Sequence, residues 1–210
     1  MTQRLYYFSD QLAVEVQVIS CHAQDALFAI ELDATPFHPQ GGGQPSDTGS
    51  LGEVEVVQVR HEEGRIVHYV TNAIKPGRTI AQVDENRRRL HTHLHSAGHL
   101  IGHIGEAFGW HPVKAHHWPG EGRIEFIPGP EAQPLEAWML LKRFEQLVTE
   151  DLPVTITLDE EGLREVRFGS FSPYGCGGTH VPSLGSLNSL SELALKEKKG
   201  RLYVHYDVTA

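Results

Sequence analysis

The segment Cys176-Gly177-Gly178-Thr179-His180 sets a thiol and an imidazole four residues apart, with two glycines between them. Far upstream, His91, His95, His99 and His103 repeat the same four-residue interval. A thiolate and imidazoles are the donors that zinc prefers. On a helix, residues i and i+4 stand one turn apart on one face. The histidine run therefore offers three overlapping pairs, of which one ion can use one, and spacing alone does not choose among them. The central pair, His95 and His99, has a helical turn on both sides. The glycines after Cys176 let the backbone turn tightly around an ion. Two dyads of this kind can close on a single zinc ion (Zn2+). The bland alternative is a buried cysteine beside a hydrogen-bonded histidine. Four protein ligands are the ordinary mark of a structural zinc, whereas a catalytic zinc keeps a place open for water or substrate. The sequence leaves that choice open. With an open place, zinc brings the pKa of a bound water toward ~7 and polarises an ester carbonyl. Cys21 has no histidine at useful spacing beyond its neighbour His22 and reads as core; His111, His116 and His117 show no ligand spacing.

These donors need a helix, a tight turn and a scaffold. From Asp84 to about Phe108 the pattern is helical, despite Gly98, Gly102 and Gly105. Each glycine costs a helix about 1 kcal/mol, so three of them call for close packing against a sheet or a ligand. Residues 134–150 form an amphipathic pattern with Pro134 in its first turn. Val14–Ser20, Ala26–Leu32, Glu53–Arg60 and Arg65–Val70 read as strands, the last two as a hairpin around Glu62-Glu63-Gly64. Val113–Ala115, Arg123–Ile127, Val154–Leu158 and Leu202–Tyr206 read as further strands. The segment from Thr35 to Gly49 (TPFHPQGGGQPSDTG) holds too many prolines and glycines for regular structure. The expected class is α+β. A β-barrel-like domain occupies residues 1–80, ending near a Lys75-Pro76-Gly77 linker, and a zinc-bearing α+β domain occupies 81–210.

The totals bound the partners. The chain has 210 residues, 40% of them hydrophobic, and a net charge of −9. That charge argues against broad nucleic-acid binding, so any RNA contact needs a local basic patch. Arg87-Arg88-Arg89 and the cluster at 196–201 are candidates for phosphate contact, although such runs are usually solvated surface and a salt bridge on the helix explains the arginines equally well. No apolar run reaches the ~20 residues of a membrane helix. Two widely spaced cysteines and no signal-peptide pattern fit a reducing cytoplasm.

Three blocks, in order, resemble a known family. The first is the glycine-rich segment 35–49. The second runs from Asp84 to Ile101 (DENRRRLHTHLHSAGHLI). The third is Cys176-Gly-Gly-Thr-His-Val181. Together they resemble the freestanding alanyl-tRNA editing proteins of the AlaX type, related to the editing domain of alanyl-tRNA synthetase. The family's aspartate, paired arginines and histidine eleven positions on match Asp84, Arg87, Arg88 and His95. The resemblance thus implies His95, His99, Cys176 and His180 as zinc ligands and leaves His91 and His103 outside. It implies deacylation of alanine tRNA, tRNA(Ala), mischarged with serine and in some members glycine. It links Thr35 to recognition of the serine hydroxyl and Gln44 to the editing pocket; the alternative for both is local turn bonding. The glycine-rich block is expected to reach toward the zinc. The length matches the family's medium form. Phe37-His38-Pro39, Ser186-Leu187-Asn188 and Tyr174-Gly175 depart from the family pattern without touching a ligand. The competing readings are a zinc hydrolase of another ester or amide and a non-catalytic, zinc-stabilised RNA-binding module.

Overall fold

Alternating apolar and polar residues set the first half of the chain into strands. The structure, a computed structural model, describes residues 2–209. Its contacts divide the chain into two units, Met1–Gly41 with Pro45–Arg89, and Gly42–Gln44 with Leu90–Ala210. The first unit holds β1 (Gln3–Arg4), β2 (Ala13–Gln24), β3 (Leu27–Leu32), β4 (Ala34–Thr35), β5 (Gly49–Leu51), β6 (Val54–Glu62), β7 (Arg65–Val70) and β8 (Gly77–Val83). β1 and β4 pair in parallel. The other six strands form a closed antiparallel ring in the order β2-β3-β7-β6-β5-β8. Val16, Val18, Ile30, Leu32, Phe37, Val56 and Val70 fill it, and Cys21 packs against their edge. The β6–β7 hairpin turns on Glu63 and Gly64, whose φ angles of 48° and 80° suit the two-residue turn that matches strand twist.

The segment after Lys75 is no linker. Gly77 opens β8, which pairs with both β2 and β5 and closes the ring. The boundary expected near residue 80 therefore falls inside a strand that cannot be cut, and the contact division lies instead at Arg89, within the first helix.

That helix, α1 (Glu85–Ala107), begins where Asp84 caps it: Asp84 Oδ1 accepts the Arg87 N–H at 3.0 Å. Arg88 was a candidate for phosphate, but it is buried. Its Nε donates to both Asp47 carboxylate oxygens at 3.1 and 3.0 Å, and its Nη2 to Asp47 and to the Pro36 carbonyl at 2.6 Å. Asp47 also accepts the His38 N–H at 2.6 Å. Arg88 thus ties Pro36 and Asp47 together within the first unit, and its burial keeps it from the surface where a phosphate would bind.

The second unit carries the rest of α1, then β9 (Trp110–His116), β10 (Arg123–Pro128), α2 (Ala137–Glu150), β11 (Val154–Leu158), β12 (Arg164–Phe168), β13 (Tyr174–Gly175), β14 (Leu190–Lys198) and β15 (Arg201–Val208). One sheet has the order β14-β15-β10-β9 and a second has β11-β12-β13. α1 lies on the first sheet: Leu94, Ala97, Ile101 and Ile104 share a core with Ile124, Phe126, Leu202, Val204 and Tyr206. The glycines make that approach possible. A Cβ on Gly105 would stand 2.3 Å from the Phe126 ring, and one on Gly98 would stand 2.4 Å from the His117 ring. α2 starts three residues later than the sequence pattern suggests. Leu135 is buried, and Glu136 remains extended at φ −101° as the residue that precedes the first helical turn. The class is mixed α+β. Among the described residues no helix is long and apolar enough to cross a membrane.

Candidate metal centre

All the donors lie in the second unit. α1 supplies His95 and His99. The turn after β13 supplies Cys176 and His180. Their four donor atoms all lie within 4.8 Å of one another. His95 Nε2 is 3.2 Å from His99 Nε2 and 3.4 Å from Cys176 Sγ, and Sγ is 3.3 Å from His180 Nε2. Zinc–nitrogen bonds of about 2.05 Å and a zinc–sulfur bond of about 2.3 Å give tetrahedral edges of about 3.4 and 3.6 Å. These three separations fall within about 0.3 Å of those edges, and the remaining pairs lie within 4.8 Å.

The proton positions fit as well. The Thr179 backbone N–H donates to Gln44 Oε1 at 3.0 Å, and Gln44 Nε2 donates to Thr179 Oγ1 at 2.9 Å. A backbone N–H can only donate, so Oε1 is an acceptor. It lies 2.5 Å from His95 Nδ1, which must carry the proton. His95 Nε2 is thereby left as a bare lone pair aimed into the cluster. Ser96 Oγ accepts the Val181 N–H at 3.1 Å and lies 3.1 Å from His180 Nδ1, holding that ring with Nε2 toward the thiol. Such supports orient metal-ligating histidines and raise their basicity. Lone pairs crowded against one another call for a cation, and the residues present fit zinc.

Electrostatics follow burial. Desolvation pushes the Cys176 thiol up, and the Gly178 N–H and the Arg164 charge pull it back. Arg164 Nη1 donates to the Cys176 carbonyl at 2.5 Å. Burial, and then the neighbouring His117, His103 and Arg164, hold His99 well below the usual imidazole range. A coordinated thiol is deprotonated outright, so the charge of a divalent ion would offset the desolvation that raises the free thiol.

Backbone proximity explains one glycine of the third block. A Cβ on Gly178 would lie 2.0 Å from the His95 ring and 2.7 Å from Gln44 Oε1. At the tip of the first block, Gly43 has φ +79°, and its carbonyl accepts the His117 N–H at 2.9 Å. His117 had no signal in spacing. It is buried, stacks on His95 at 4.4 Å, and its Nδ1 lies 2.5 Å from Tyr206 Oη, which donates onward to the Leu94 carbonyl at 3.0 Å. Burial lowers its pKa to about 3, so it is a neutral wall of the site. Beside His99 and His117 opens a cavity of about 300 Å³, lined by Gly98, Gly102, Val113, Ala115 and Tyr174 among others.

His103 stacks on Tyr174 at 4.3 Å and Phe171 at 4.8 Å, with Nδ1 near Glu106. Thr35 belongs to the first unit. Its Oγ1 lies 2.8 Å from His68 Nε2 and accepts the Phe37 N–H at 3.1 Å.

No protein-family model matches the chain. Individual relatives do. The chain is 32% identical over 91% of its length to the alanine–tRNA ligase of Haloquadratum walsbyi, of which it spans 24%. It is 31% identical over 87% of its length to the alanyl-tRNA editing protein Aarsd1-B of Xenopus laevis, spanning 52% of that protein. With the alanyl-tRNA editing protein AlaX-M of Pyrococcus horikoshii the identity is 31%, and the match covers 92% of this chain and 91% of the relative. Match of that extent, end to end with a freestanding relative, makes the chain a member of the alanyl-tRNA editing protein family.

Proposed function

We propose that the protein hydrolyses the ester joining a wrong amino acid, serine first and glycine second, to tRNA(Ala), at a zinc ion held by His95, His99, Cys176 and His180. The observation that carries this reading is the convergence of those four donors within 4.8 Å in a chain so similar to editing proteins. Bound there, zinc supplies Lewis acidity beside the ester. The protein supplies orientation. Gln44 fixes the tautomer of His95. Arg164 holds the Cys176 carbonyl. The cavity beside His99 offers apolar walls to the acylated end of the RNA.

Selectivity is assigned to Thr35. His68 Nδ1 faces the Ile30 carbonyl at 3.3 Å and so carries the proton. Its Nε2 then accepts the Thr35 hydroxyl proton. Burial keeps His68 neutral, with its pKa down at about 4. Thr35 is left as an acceptor with one lone pair to spare, suited to the hydroxyl of a seryl group. Neither alanine nor glycine can fill that acceptor, and a site that bonds a hydroxyl disfavours analogues without one, which ranks serine first. The proposed setting is the cytoplasm.

The test is a panel of seryl-, glycyl- and alanyl-tRNA(Ala) given to the zinc-loaded protein. Rapid release of serine with alanine spared is expected. Deacylation that survives the double substitution Cys176→Ala with His99→Ala would defeat the reading. Equal turnover of a small serine ester and of the tRNA ester would turn it toward a general hydrolase.

A further inference from the structure

α1 covers one face of the sheet β14-β15-β10-β9; the opposite face gathers basic residues around the β14–β15 hairpin. Along β15, Leu202, Val204 and Tyr206 point into the core, so Arg201, Tyr203 and His205 point out. Register sets Lys196 opposite Tyr203, Lys198 opposite Arg201, and Arg123 of β10 opposite His205. Lys199 follows in the hairpin turn at φ 53°. Glu125 on this face is engaged by Arg201, and Asp207 and Glu192 lie opposite one another at the far end of β15 and β14 from the hairpin. Among the described residues no ion pair engages Lys196, Lys198 or Lys199. They line an open groove of about 410 Å³ together with Tyr203 and His205. This sits in a chain of net charge −9.

We propose that this sheet face binds the sugar–phosphate backbone of RNA, with the flat rings of Tyr203 and His205 available to an unpaired base. That the RNA is the substrate tRNA rests on the function proposed above. A globally acidic protein repels a polyanion at long range, so contact has to come from a local basic surface with its charges unspent. Lysines held close together at such a surface repel one another, and phosphates relieve that repulsion by displacing counterions. Rings standing two residues apart on a strand, flanked by cations, are a stacking platform for single-stranded nucleic acid.

The test uses a triple variant, Lys196→Gln, Lys198→Gln and Lys199→Asn; asparagine tolerates the left-handed turn. All three positions are exposed, so the melting temperature and zinc content should equal those of the unaltered protein. Binding of uncharged tRNA(Ala) is followed by fluorescence anisotropy from 50 to 200 mM KCl. Each phosphate contact adds about 0.7 (single strand) to 0.9 (duplex) to the slope of log affinity against log salt. The variant's slope should be shallower by about 2–3, so over that range the unaltered protein loses roughly 16- to 64-fold more affinity. KM for seryl-tRNA should rise with kcat unchanged, and hydrolysis of a seryl ester of adenosine should not move. Equal slopes and affinities for the two proteins overturn the proposal, as does preferential binding of polyglutamate over tRNA. An absence of deacylation with the slope difference intact would sink the proposed function and leave the RNA surface standing.

Discussion

Replacing Gly178 by alanine should dismantle the candidate metal centre without altering any of its four donor residues. The added Cβ would lie 2.0 Å from His95 Cε1, 2.2 Å from His95 Nδ1 and 2.7 Å from Gln44 Oε1. An ordinary contact for such atoms is about 3.5 Å, so ring and methyl must separate by about 1.5 Å. Metal–ligand bonds tolerate errors of about 0.2 Å. The ring cannot yield sideways, because His117 stacks on it at 4.4 Å, and α1 cannot retreat, because Gly98 and Gly105 are already in contact with His117 and Phe126. The turn from 176 to 180 must move instead, taking Cys176 and His180 out of range of His95. Loss of an orienting partner alone weakens metal sites 10- to 100-fold. Displacing two donors together should cost at least about 100-fold in zinc affinity, or about 2.7 kcal/mol. Competition titration against a chromogenic chelator measures this directly. Gly175→Ala is the control: it lies next to Cys176, and an added Cβ there meets nothing within 4 Å. If Gly178→Ala keeps its zinc affinity within threefold of Gly175→Ala, the contact between this turn and His95 is not what seats the ion.

Three further outcomes follow from the same geometry. Gln44→Leu removes the acceptor that fixes the His95 tautomer, and should weaken zinc binding about 10- to 100-fold, read by the same titration with melting otherwise intact. Arg88→Met leaves Asp47 buried without its cation and should destabilise the protein by about 3–5 kcal/mol in urea, a loss partly recovered when Asp47→Asn is added. His68 has a folded-state pKa near 4, below the ordinary 6.5 or so, hence the unfolded chain takes the proton first; stability is full above pH ~6.5, declines as pH falls, and levels below pH ~4, a total of about 3 kcal/mol. His68→Gln should flatten urea-melt stability across that window by that amount relative to the unaltered protein, and parallel pH profiles would refute the assignment.

The chemistry was more legible than the scaffold. Four-residue intervals on a helix and around a glycine turn are local facts, and the structure keeps them within one turn of chain. Asp84 before a helical run is likewise a local signal, and it caps α1. What escaped was set by distant partners. β8 reads as a proline-glycine linker followed by mixed polar residues, and becomes a strand because β2 and β5 each offer it an edge. β14, with Leu190, Leu193 and Leu195 among lysines and glutamates, suits a helix as well as a strand; pairing with β15 decides it. His117 matters because of Tyr206, 89 residues on. Arg88 differs from Arg87 and Arg89 only in facing Asp47, 41 residues upstream.

The histidine stripe shows how the scaffold resolves a choice that spacing leaves open. At about 100° per residue, Gly98, Gly102 and Gly105 cluster within about 60° on one side of α1, and the contacts at Gly98 and Gly105 mark that side as the one lying on the sheet. Taking Gly98 as the origin, His91 falls at about 20°, His95 at about 60°, His99 at about 100° and His103 at about 140°. His91 therefore points down with the glycines and is buried. His103 has turned away far enough to meet the aromatic rings of Tyr174 and Phe171. The two histidines between stand at the margin where the helix leaves the sheet, and there the turn bearing Cys176 and His180 reaches them. The same residues that look like defects in the helix thus fix its rotation, and the rotation selects which histidine pair faces Cys176 and His180. Replacing Gly105 by a larger residue should shift α1 against Phe126 and lower zinc affinity from two turns away, a coupling that an ion held by local spacing alone would not show.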